Sequence, residues 1–245
     1  MARLAKWCFF VIAVAVVLPL GGRAAYFWGG DNGVSWYEAN WSSANILPPA
    51  RADAPAMVRI FSARTGRWRS IFATHTWIVV KPAGGDYERF EKVGWGMPVR
   101  RNAFPADGFW YGNPPVQLYG ANGQAAAAMI PKIRAAVAAY PFAHRYDYRA
   151  WPGPNSNTFM AAILASVPEI NIALPPTAIG KDFPLGASWI GKTPSGTGWR
   201  ISLGGYIGLT VGWVEGIEIN ILGGVFGIDI RRPGLKFPGL GRIGV

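Results

Sequence analysis

The sequence predicts an α+β protein, with an antiparallel sheet packed on a helix, behind an apolar N-terminal helix. Three observations predict it. β-Branched and aromatic segments bounded by Gly and Pro read as strands, the strongest being residues 71–81 (IFATHTWIVVK). Apolar residues at helical spacing mark helices over 122–140 and 155–167. A basic start followed by an uncharged apolar run opens the chain.

Arg3 and Lys6 precede sixteen uncharged, mostly apolar residues, 7–22 (WCFFVIAVAVVLPLGG). A spanning helix needs ~20 such residues, and a secretory signal has an apolar core of similar kind. Both readings place the rest of the chain across a membrane, with the basic flank inside. Arg23 fits poorly beside a cleavage site, which favours an uncleaved anchor. The expected organisation is 1–28 as signal anchor or signal peptide, 29–57 as an irregular linker, and 58–245 as a single exported α+β domain. The expected location is the inner membrane, with a single N-terminal span and the main domain periplasmic.

Residues 29–56 are rich in Gly, Pro, Asn and Ser and read as irregular. Residues 58–62 alternate as a strand. The strand over 71–81 stops at Pro82-Ala83-Gly84-Gly85 and 87–95 returns, so 71–95 reads as a hairpin. Alternation puts His75, Trp77 and Val79 on one face and Thr76, Ile78 and Val80 on the other. The Ala-rich helix contains Pro131, which should kink it or delay its start. The next helix follows a Pro/Gly turn at 151–154 and ends before Pro168, with Phe159, Ile163 and Val167 as its buried stripe. Residues 199–230 are apolar and punctuated by Gly. There Ile217, Ile219 and Ile221 alternate around Glu218 and Asn220, and the region reads as three or four short strands.

Composition narrows the function. With 51% apolar and 15% charged residues the chain folds around a core and is not disordered. A formal net charge of +11 suits anionic lipid or envelope polymers. The charges are scattered and match no recognition motif, so nucleic acid is not an expected partner. The expected partners are membrane lipid, through the N-terminal helix, and peptidoglycan or an envelope protein. Cys8 is the single cysteine and lies in the apolar run, which excludes an intramolecular disulfide and a cysteine nucleophile beyond it. His75 and His144 are the two histidines, and no carboxylates stand at ligand spacing. No metal and no cofactor is expected.

The candidate chemistry lies in two segments. In 151–159 (WPGPNSNTF) a Pro/Gly turn delivers Ser156 to the start of a helix. Unpaired backbone N–H groups and the positive end of the helix dipole collect there. That setting favours a nucleophile and the oxyanion it generates. His75 supplies a base, and Glu88, Glu91 or Asp86 a group to orient it, register deciding among them. The backbone N–H groups of Ser156 and Asn157, or the Asn155 or Asn157 side-chain amide, supply oxyanion donors. The same residues also suit a purely structural role, because Asn and Ser are favoured N-caps.

The segments WSSANILPP, ARTGRWRSIFATHTWIVVKPAGGDYERF, GFWYGNPP, WPGPNSNTF, PPTAIGKDF and PGLGRIG together resemble a bacterial envelope family, domain of unknown function 3750. That resemblance implies an envelope protein with an N-terminal membrane segment, and it implies no particular activity. A second, more distant resemblance rests on two short motifs. His75-Thr-Trp-Ile-Val-Val80 and Asn155-Ser-Asn-Thr-Phe159 are similar to the histidine strand and nucleophile helix of permuted papain-like hydrolases of the PPPDE type. Ser156 stands where that family has cysteine. The resemblance implies a papain-like domain that is either an amide or acyl hydrolase or acyltransferase using Ser156 and His75, or a non-catalytic binding or scaffolding module at the membrane or cell wall. A serine hydroxyl is far less acidic than a thiol, so the enzyme reading needs a well-oriented His75.

Overall fold

A computed structural model describes residues 2–30, 34–97 and 99–244. The N-terminal run forms α1 (Ala2–Gly29), with Pro19 inside it. Among the described residues no helix is long and apolar enough to cross a membrane. The expected N-terminal transmembrane helix is corrected, and so is the single-span placement in the inner membrane with a periplasmic domain. The physical reason is length. The uncharged run holds sixteen residues where a span needs ~20, and the helix then continues through Arg23. Its later part rests on the rest of the protein: Phe27 is buried, and Leu20 approaches Gly239.

The first sheet comprises β1 (Met57–Arg64), β2 (Thr74–Lys81), β3 (Glu88–Lys92), β4 (Val99–Arg101) and β5 (Val116–Asn122). All pairs are antiparallel, in the order β4-β3-β2-β1-β5. β2 is central, and every one of its residues is buried. Its two faces divide as alternation requires. Ile78 and Val80 enter a core with Val58 and Ile60 of β1, closed by α2 (Gly123–Ala138) and α3 (Ser156–Ser166) through Ile133, Phe159 and Ile163. Trp77 and Val79 enter a second core with Phe61, Val93 and Trp110. Pro131 lies inside α2, which nevertheless starts at Gly123, so the expected delayed start is not seen.

The chain after residue 190 forms a larger sheet: β6 (Ile190–Lys192), β7 (Gly198–Leu203), β8 (Ile207–Gly212), β9 (Gly216–Ile221), β10 (Gly224–Asp229), β11 (Gly234–Phe237) and β12 (Gly241–Gly244). These seven strands follow one another as an antiparallel meander. Alternation here is inverted. Ser202, Thr210, Glu218, Asn220 and Lys236 are buried, while Ile201, Leu209, Ile217 and Ile219 are exposed. The inward polar groups are paired. Lys181 contacts Asp182 at 3.1 Å and also Glu218, and Lys236 reaches Glu218 at 2.6 Å. Burial opposes charge on Lys181, but the two carboxylates outweigh it and raise its pKa.

The expected papain-like α+β domain is therefore corrected. Among the described residues the protein is mostly sheet, with two antiparallel sheets and three α-helices. Short local hairpins carry the reason. Closely spaced turns let each strand after residue 190 pair with its sequence neighbour, so this segment makes its own sheet instead of extending the first.

Candidate functional site

The register of the first sheet decides which side chains meet His75. Val79 of β2 pairs with Arg89 of β3, and Val80 with Glu88. Arg89 and Glu91 thus share the face of His75 and Trp77, and Glu88 shares the opposite one. His75 Nε2 and Glu91 Oε2 are 2.7 Å apart, and Arg89 Nη2 donates to the same oxygen at 2.8 Å. Glu88 instead pairs with Arg134 and, at 3.0 Å, with Arg101. Asp86 lies in the turn before β3. The Trp110 ring stacks on the imidazole with centroids 3.8 Å apart and planes 8° apart. The Arg89 guanidinium lies 4.2 Å over the Trp77 ring.

Charge in this buried cluster follows from its partners. Burial pushes the His75 imidazole below its ordinary value, against the upward pull of Glu91. Burial alone would raise the Glu91 carboxyl, but the Arg89 guanidinium and the His75 hydrogen bond together hold it below the ordinary value. At neutral pH the group is a neutral imidazole beside a carboxylate–guanidinium pair. An ionised carboxylate only accepts hydrogen bonds. Nε2 therefore carries the ring proton, and Nδ1 keeps its lone pair. Among the described residues nothing hydrogen-bonds Nδ1.

The helix start is built as tightly. Two cis peptide bonds, Trp151–Pro152 and Gly153–Pro154, lie in the turn before it. Asn155 caps α3: its Oδ1 accepts from the N–H groups of Asn157 at 2.9 Å and Thr158 at 3.2 Å. Thr158 Oγ1 accepts from the Asn155 N–H at 3.1 Å, completing a capping box. The Asn155 amide donates to Ala150 O and Ile179 O. Gly180 leaves room for that amide. It has φ +92°, and an added Cβ would fall 2.2 Å from Asn155 Nδ2. Asn157 Nδ2 donates to Thr74 O and Ile179 O, and its Oδ1 accepts from Thr76 Oγ1 at 2.9 Å. Asn157 thus joins α3 to β2, both Asn side chains tie it to Ile179, and neither is free to hold an oxyanion.

Ser156 differs from its neighbours. Among the described residues neither its Oγ nor its backbone N–H has a hydrogen-bond partner. It sits at the first position of α3, where the dipole is positive. Ser156 and His75 line one open cleft of about 950 Å³. Trp110, Tyr148, Trp151 and Ile179 also line it, as do Arg67, Arg69, Leu20 of α1 and Phe226 of β10. Burial pushes the Tyr148 hydroxyl up to about 12, so it stays protonated there. No hydrogen bond joins Ser156 Oγ to His75 among the described residues. Their approach is through the shared cleft.

Of the seven residues singled out from sequence, the structure places His75, Glu91, Ser156, Asn155 and Asn157 around the β2–α3 contact, turns Glu88 away and leaves Asp86 in the segment before β3. Arg89, Trp110 and Thr76 escaped notice. Arg89 had a signal: Arg and Glu two residues apart share a strand face, and a buried carboxylate needs a cation. Trp110 and Thr76 had none. The Asp107–Pro115 loop reaches His75 only through the tertiary fold.

The fold and cleft define a two-sheet β protein that holds a Glu–His pair and a helix-start serine on one open cavity. The chain belongs to the family described as Protein of unknown function (DUF3750), whose model matches residues 55–183, over half of the sequence. The match spans the first sheet, α2 and α3 and ends before the second sheet begins. No curated protein and no solved structure matches the chain.

Proposed function

We propose that the cleft performs acyl transfer, with Ser156 as nucleophile, His75 as base and Glu91 as the group that orients it. One observation carries the reading. His75, a neutral imidazole with an unpaired Nδ1, and Ser156, with an unpaired Oγ and N–H, line the same open cleft. In the reaction Ser156 Oγ attacks the carbonyl carbon of an amide or ester while its proton passes to His75 Nδ1. The carbonyl oxygen becomes an oxyanion facing the Ser156 N–H and the positive end of α3. Collapse breaks the C–N or C–O bond, and the imidazolium returns its proton to the leaving group. Water or a second acceptor then attacks the acyl-serine by the same route and restores Ser156.

The test is a fluorophosphonate that phosphonylates activated serines. Wild type should be labelled at Ser156, shown by peptide mapping, and Ser156→Ala should not be labelled. His75→Ala should label about 10²–10⁴ times more slowly, the ordinary contribution of a positioned base. Equal labelling of wild type and Ser156→Ala, or an unlabelled folded wild type, contradicts the proposal and leaves a binding cleft.

A further inference from the structure

The second sheet turns its apolar face outward. Trp199 and Ile201 of β7, Leu209 and Val211 of β8, and Ile217 and Ile219 of β9 are all 40–60% exposed. Seven strands about 4.8 Å apart and about five residues long cover on the order of 600 Å². That is at the upper end of what a monomer leaves exposed, and patches of this size mark interaction surfaces.

Charge at its edges selects the occupant. Among the described residues from 184 to 244 the acidic side chains are Glu215, Glu218 and Asp229, and all three are buried. The exposed charged side chains among them are Lys192 of β6 and Arg231 and Arg232 of the β10–β11 turn, every one positive, with Arg231 also hydrogen-bonded to Asn171 and Arg232 3.9 Å from Asp229. Lys192 Nζ lies 4.1 Å over the Trp199 ring, so an aromatic and a cation occupy the same edge. An apolar face edged by cations and amphipathic aromatic rings matches an anionic lipid surface, where apolar side chains enter the acyl boundary and cations meet headgroup phosphates. A second copy would bring the same positive edges together.

We propose that the outer face of β7–β9 is a docking surface for an anionic lipid surface, contacted by the sheet itself with no segment crossing the bilayer. Ile221 and Leu222, at the β9–β10 turn, are exposed and also line the Ser156 cleft. A protein seated by this face opens that cleft beside the lipid, whether or not Ser156 is a nucleophile.

The test is co-sedimentation of the full chain with vesicles of phosphatidylglycerol and phosphatidylcholine, and with phosphatidylcholine alone. Wild type should sediment with the anionic vesicles, and brominated lipid should quench its tryptophan emission. Leu209→Ser/Ile219→Ser, checked for folding by near-UV circular dichroism, should bind roughly tenfold or more weakly, because two apolar insertions are lost. Arg231→Gln/Arg232→Gln should weaken binding to anionic vesicles by about fivefold per arginine and leave phosphatidylcholine binding unchanged. Wild-type binding by the folded Leu209→Ser/Ile219→Ser protein overturns the proposal. So does a lipid-free dimer that this double variant converts to monomer in analytical ultracentrifugation.

Discussion

In the first sheet β2 is buried on both sides, and its charged neighbours Arg89 and Glu91 lie in one layer with His75. In the second sheet β9 buries Glu218 and Asn220 and exposes Ile217, Ile219 and Ile221. Both follow the same two-residue period, yet opposite chemistry faces inward. Alternation identifies a strand, and what covers each face decides its meaning. α2 and α3 cover one face of the first sheet with apolar side chains. Behind the second lie Lys181 and Asp182, which with the inward Lys236 of β11 ask for carboxylate and amide partners.

The largest effect is expected at the buried ion pair of the first sheet. Arg89→Met leaves Glu91 buried with no cation and should cost about 3–5 kcal/mol in urea denaturation. Little change would mean that the carboxylate is protonated in the fold, against the reading of His75. Paired isoleucines test the covering of the sheets directly. Ile78→Ala, fully buried, should cost about 2–5 kcal/mol, and Ile219→Ala, half exposed, about 1 kcal/mol or less. Equal costs would mean that the outer face of the second sheet is covered in the folded protein. Asn155→Ala removes the α3 cap and should cost about 1–2 kcal/mol. Because the cap also positions Ser156, serine labelling should fall by more than stability predicts.

The smallest effect is in pH. The folded pKa of His75 lies below 6.5, and the unfolded chain takes a proton near that value. The unfolded state then binds more protons, so stability falls as pH drops below about 6.5. His75→Gln should flatten that slope, measured as urea midpoints between about pH 7 and 5.5. An unchanged slope would place the loss on other groups.

Much of the first sheet and the cap was legible in sequence. The β-branched run around His75 and the helix-start tetrad at 155–158 each combine a local propensity with a strong boundary, and both elements form there. The choice of Glu91 over Glu88 was not legible, because a one-residue shift of β3 exchanges them and only cross-strand pairing sets that shift. The N-terminal run misled because apolar composition alone suggests a membrane, while its length falls short. The inversion of the second sheet was hidden for a different reason. Glu218 and Asn220 read as outward residues until Lys181 beneath them and the inward Lys236 of β11 are seen.

The proposed chemistry needs a neutral His75 whose proton sits on Nε2 and whose Nδ1 keeps its lone pair. Long-range ¹H–¹⁵N correlation of the ¹⁵N-labelled full chain at about pH 7 reads this directly, with His75→Gln giving the assignment and Glu91→Gln perturbing it. The predicted result is a neutral ring in a single Nε2–H form that loses this fixed state in Glu91→Gln. An imidazolium at that pH, or an Nδ1–H ring in wild type, would contradict the account, because Nδ1 would have no lone pair to accept the Ser156 proton.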